Sequence, residues 1–69
     1  MPYRRMRLFR KQRDLSIEEV AKSIGVHQNT ISNWERLNST PNAEKLIYLS
    51  AMYGRPASEL MEIVEDDGD

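Results

Sequence analysis

Gln28, Asn29, Ser32, Asn33 and Arg36 recur at spacings of three and four, so they share one face of any helix that spans residues 28–36. That face carries no carboxylate and is rich in short amides. An amide donates and accepts at once. One such side chain can therefore pair with a partner that offers an acceptor and a donor side by side, as the N6/N7 edge of adenine does. The same composition also suits a face that simply holds water. On the other side lie Ile31, Trp34 and Glu35 at i, i+3 and i+4. This is the spacing of a core-facing stripe, which makes Trp34 a core anchor rather than a stacking platform.

Other chemistries find no foothold. The 69 residues contain no Cys and one His, which excludes a disulfide framework, a thiolate zinc site, a cysteine nucleophile and any multi-His metal site. No Gly-rich phosphate loop, paired buried acids or nucleophile–base spacing occurs. Neither an enzyme nor a cofactor nor a metal is expected.

The formal net charge of −1 hides a strong polarity. Residues 1–13 hold Arg4, Arg5, Arg7, Arg10, Lys11 and Arg13 with no acid, and residues 59–69 hold Glu59, Glu62, Glu65, Asp66, Asp67 and Asp69 with no base. Phosphate binding needs a local cationic face, not a basic total. A solvated basic end and an acidic solubilising tail would give the same pattern, so charge alone decides nothing. The length suits one domain, which at this size buries only about 60% of the surface its unfolded chain exposes. No apolar run approaches the roughly 20 residues of a membrane span, and the basic first segment lacks the apolar stretch of a signal peptide. A cytoplasmic one-domain protein that engages no membrane is the expectation.

The elements that must position the amide face read as helices throughout, with no period-two alternation over a strand's length. Tyr3, Met6 and Phe9 predict a first helix over about residues 2–13, closed by Asp14. Ser16-Ile17-Glu18-Glu19 forms a capping box, and Val20, Ala21 and Ile24 follow on one face up to Gly25. The third helix is the one at 28–36. After a polar loop from Leu37 to Pro41, Asn42 caps a fourth helix with a Leu46, Leu49, Tyr53 stripe ending at Gly54. Pro56 opens a short fifth helix carrying Leu60, Ile63 and Val64 at i, i+3 and i+4. The fold class is therefore all-α: a compact five-helix domain over residues 1–64, with an acidic tail at 65–69 too poor in apolar residues to fold.

Residues 17–36 then form a helix-turn-helix. Crossing two helices at close range requires a small residue inside the first, which is Ala21, and a residue free to turn, which is Gly25. It also requires apolar residues pointing back from the second helix, which are Ile31 and Trp34. With Leu15-Ser16-x-Glu18-Glu19-Val20-Ala21, Gly25-Val26, Thr30-Ile31-Ser32-x-Trp34-Glu35-Arg36, Pro41 and the Leu46/Leu49/Tyr53-Gly54 stripe, the chain resembles the Cro and lambda-repressor-like (XRE) helix-turn-helix family over about residues 3–62.

That resemblance implies a sequence-specific DNA-binding transcriptional regulator, a repressor, whose third helix enters the major groove. Gln28, Asn29 and Asn33 become the base readers with Ser32 as a lesser contributor, matching the outer face already described. Arg36, Asn38, Ser39, Thr40, Asn42 and Lys45 become the phosphate contacts. His27 occupies the usual Ser/Thr cap position of the third helix. It either touches DNA or caps through a ring nitrogen. The resemblance favours an Arg10–Glu35 pair, which, with Ala21, Gly25, Ile31 and Trp34, is structural. One departure stands out. The family commonly has Gln after the Ser of the second helix, where its amide meets a phosphate; Ile17 cannot do that. Arg4, Arg5, Arg7 and Arg13 read as solvated.

A single recognition helix reads only about four or five base pairs, far too few to select one site among roughly 10⁶–10⁹ competitors. A homodimer, formed at least on DNA and bound to an inverted-repeat operator, is therefore expected. Leu60 plugs the core and leaves Met61, Ile63 and Val64 as dimer candidates, unless these only cover the first helix near Leu8. The rival class is an antitoxin or other protein-interaction module on the same fold, whose main partner is a protein; an antitoxin of this type would bind its own operator as well, so the two readings overlap.

Overall fold

Tyr3 and Arg4 are not the start of the first helix. In a computed structural model describing residues 1–65, they form a short strand, β1 (Tyr3–Arg4), paired antiparallel with β2 (Ile63–Val64) in the register Tyr3↔Val64, Arg4↔Ile63. Between them lie α1 (Met6–Gln12), α2 (Ile17–Ile24), α3 (Gln28–Glu35), α4 (Ala43–Tyr53) and α5 (Ala57–Leu60). Two expectations are thereby corrected. The first helix loses its residues before Met6, and the fifth ends at Leu60, with Ile63 and Val64 in a strand instead. The aromatic and β-branched residues at these positions favour extended backbone once a pairing partner is present. The fold remains predominantly helical, with five helices and one two-residue ladder among the described residues. Of the acidic tail, residues 66–69 lie outside the described residues.

The helix ends follow local chemistry. α1 has no side-chain N-cap; instead Arg5 N–H donates to the Glu62 carbonyl at 2.8 Å, so the β-ladder region anchors its start. Its C-terminus closes with Asp14 at φ 56°, Asp14 N–H on Lys11 O and Leu15 N–H on Arg10 O, the paired bonds of a Schellman motif. α2 has its capping box: Ser16 Oγ accepts from Glu19 N–H at 3.0 Å, and a Glu19 carboxylate oxygen accepts from Ser16 N–H at 2.9 Å. The Ser16 N–H, and after it the Ser16 hydroxyl, holds the Glu19 carboxyl below its ordinary range. Asn42 caps α4 by accepting from Lys45 N–H at 2.8 Å.

The core comprises Met6, Phe9, Val20, Ala21, Ile24, Ile31, Trp34, Leu49, Tyr53 and Leu60. Leu60 is fully enclosed, whereas Ile63 is 64% exposed and Met61 and Val64 are half-buried. Burial, then the Glu35 charge, pushes the Tyr53 phenol well above its usual range against the opposing effect of Arg10. Gly54 ends α4 at φ +66°, and a Cβ there would lie 2.5 Å from Arg13 Nη2. That guanidinium donates to the Tyr53 carbonyl, so Arg13, though exposed, also closes the end of α4. Arg5 is likewise engaged: it pairs with Glu62 and stacks over the Phe9 ring, with Arg55 also over that ring at 5.0 Å. No helix among the described residues is long and apolar enough to cross a membrane.

Candidate nucleic-acid interface

Gly25 adopts φ 74° after α2, and Val26 N–H returns to the Ala21 carbonyl at 3.0 Å. With only a methyl at Ala21, which is 3% exposed, α2 and α3 pack closely across this turn. His27 caps α3: its Nδ1 accepts from Asn29 N–H at 3.0 Å. The cap needs Nδ1 unprotonated, so the ring carries its proton on Nε2 and presents a donor at the exposed start of the helix.

The inner face of α3 is fixed twice. Ile31 and Trp34 enter the core. Glu35, 3% exposed, receives a two-point contact from Arg10: Nε to Oε2 at 2.7 Å and Nη2 to Oε1 at 3.1 Å. Arg10 Nη1 also donates to the Leu15 carbonyl at 2.8 Å, tying the link between α1 and α2 to the same guanidinium. A buried carboxylate left alone would be costly, and a two-point Arg pair is the arrangement that offsets it best.

Gln28, Asn29, Ser32 and Asn33 lie together on the outer face, Gln28 and Asn29 exposed and Ser32 and Asn33 half-exposed. Asn33 Oδ1 accepts from Arg36 Nη2 at 3.1 Å, which orients the amide and leaves its NH2 group and one lone pair open. Arg36, Asn38, Ser39 and Thr40 follow on the exposed side. Two of the expected phosphate groups already have partners within the chain, though Asn42 is exposed and Lys45 half-exposed. The Asn42 side-chain Oδ1 serves the α4 cap, and Lys45 Nζ donates to the Ile24 carbonyl at 3.2 Å, at the negative end of α2.

Beside Ile17, a cleft of about 200 Å³ is lined by Arg7, Arg10, Ile17, Ser32, Glu35 and Arg36. Arg10 and Glu35 neutralise each other there. Arg7, whose guanidinium stacks on Tyr3 at 5.1 Å, was expected to be solvated; it lines this cleft between α1 and α3 instead. Arg4 was expected in solvent too, but it reaches the end of α3, a contact that no local pattern could show. Among the described residues, no three metal-ligating side chains cluster.

A buried small-residue crossing, a capped second helix pinned from behind and an exposed polar outer face define a helix-turn-helix domain. A family model described as helix-turn-helix matches residues 6–60, and the chain belongs to that family. It is 38% identical over 65 residues to the cryptic phage CTXphi transcriptional repressor RstR of Vibrio cholerae, covering 94% of this chain and 59% of that protein. The chain thus spans less than two thirds of that relative's length. The fold is shared with the crystal structure of a candidate DNA-binding protein from Bacteroides fragilis, at a TM-score of 0.77 and 21% identity. That match covers 90% of this chain and 100% of the other.

Proposed function

We propose that the protein is a sequence-specific DNA-binding transcriptional repressor of the cytoplasm, with α3 in the major groove and no catalytic activity. The outer face of α3 carries this reading: four amide or hydroxyl side chains, no carboxylate, on a helix whose inner face is held rigidly by Trp34 and Glu35. The Vibrio relative, a repressor similar over nearly the whole of this chain, supports it. Gln28, Asn29 and Asn33 read base edges, Ser32 assists, and His27 offers its Nε2–H at the entering end. Arg36 and the Asn38–Thr40 loop meet the backbone, and Arg7 with Arg36 supplies the cationic contact that Ile17 cannot. Lys45 and the Asn42 amide contribute from behind the front line.

Ala at Gln28 or Asn33 should weaken operator binding by about 1–3 kcal/mol and relax preference at one base step. Equal affinity and unchanged preference in both variants, measured by competition against substituted duplexes, would reject that face as the reader. Arg36→Ala should act differently: it should lower the slope of log K against log salt by roughly 0.9, and by freeing the Asn33 amide it should also relax preference at the Asn33 step.

The working unit is a homodimer on an inverted repeat, with half-sites about 10 base pairs apart. Ile63, standing 64% exposed on β2, is the residue best placed to meet a second copy. Val64 and Met61 are half-buried, so both play the smaller part. Sedimentation with a full operator should give two chains per duplex, and Ile63→Asp should reduce this to one. One wild-type chain per duplex at saturation rules the dimer out.

A further inference from the structure

Arg4, on β1, joins the β-ladder to the end of α3. Its Nη1 donates to the Trp34 carbonyl at 2.8 Å and to the Ser39 carbonyl at 2.6 Å, and its Nη2 donates to Thr40 Oγ1 at 3.2 Å. The Trp34 carbonyl is one of the last four of α3, which have no partner inside the helix. Its neighbours find other donors: Asn33 O accepts from Asn38 and Ser39 N–H, and Ser32 O from Arg36 N–H. A guanidinium also suits the negative end of a helix. Leu37, at φ 68°, turns the chain out of α3 into the loop that Arg4 then grips.

The hydroxyl of Thr40 matters most. A hydroxyl has one proton and two lone pairs. With Arg4 donating into the oxygen, the proton is left for another acceptor, and a charged donor behind the oxygen strengthens that outward bond. The backbone of β1 is in turn held by β2 and by the Arg5 N–H bond to Glu62 O, so the guanidinium is anchored from both sides.

We infer that Arg4 is a positioning residue for DNA binding: it fixes the Asn38–Thr40 loop at the end of α3 and turns the Thr40 hydroxyl proton toward a backbone phosphate. The inference rests on the DNA-binding reading above. Arg4 itself touches no phosphate.

The test uses the full chain and a labelled mixed-sequence duplex, because phosphate contacts are read in non-specific binding. Arg4→Gln should lower affinity about five- to tenfold, the worth of one well-made hydrogen bond to an anion, with an unchanged salt slope. Thr40→Val, at an exposed site, should lose as much. The double variant should lose no more than the larger single loss, since both remove one contact. Arg4→Lys, which keeps the charge and one point of contact, should recover part of the loss. Without DNA, Arg4→Gln should make the Ser39 and Thr40 amides more mobile by NMR relaxation while those of α2 stay unchanged. Additive losses, an unchanged affinity, unchanged Ser39 and Thr40 amides, or a slope lowered by roughly 0.9, the mark of a direct phosphate contact, would overturn the inference. Failure of the wild-type protein to bind any duplex would instead overturn the DNA reading, and this inference with it.

Discussion

Glu35→Ala should leave much of the protein unfolded at room temperature. Removing one partner of a buried, hydrogen-bonded ion pair costs about 3–5 kcal/mol, and a domain of this length has a total of only about 3–10 kcal/mol. Arg10 would remain with its stem in the core and its guanidinium holding only the Leu15 carbonyl. The double replacement Arg10→Met with Glu35→Leu should recover most of the loss, because no charge is then left buried. Urea unfolding followed by Trp34 fluorescence measures both. A Glu35→Ala midpoint equal to wild type would mean that the pair is incidental to the fold.

Trp34→Ala should cost about 3–5 kcal/mol for a different reason, the cavity left by a large ring in a core too thin to close over it. Trp34 is 5% exposed among Ile31, Leu49 and the other core residues. Circular dichroism should show a loss of helix signal or a steep fall in thermal midpoint. A variant that stays folded and loses only DNA binding would place the indole on the outer face and contradict the orientation of α3. The two replacements thus probe the two supports that hold the amide face outward, one electrostatic and one apolar.

What was legible in the sequence was whatever is written locally. The Ser16/Glu19 capping box, the Asn42 cap, the turns at Gly25 and Gly54 and the three- and four-residue spacing of α3 each involve partners within a turn or two. The spacing showed which side of α3 would be buried, and the Arg10–Glu35 contact followed from a family likeness. The β-ladder was not legible because two residues cannot show alternation and their partners lie at the other end of the chain. Leu60, Ile63 and Val64 have helical spacing, yet pairing with Tyr3 and Arg4 overrides it. Arg4 and Arg13 escaped notice for the same reason: they serve carbonyls 30 to 40 positions away. Lys45 could not be known from its charge to face the end of α2.

These features give the first four helices a part in one operation. α1 and β1 brace α3 from behind, α2 crosses it at Ala21, and α4 supplies Leu49 and Tyr53 to the core beneath it. Selection of bound duplexes from a random pool by the wild-type protein at moderate salt tests the central claim most directly. The account predicts enrichment of an inverted repeat with half-sites about 10 base pairs apart, with interference at major-groove positions of each half-site. Recovery of no common sequence, with all duplexes bound equally or not at all, would contradict it.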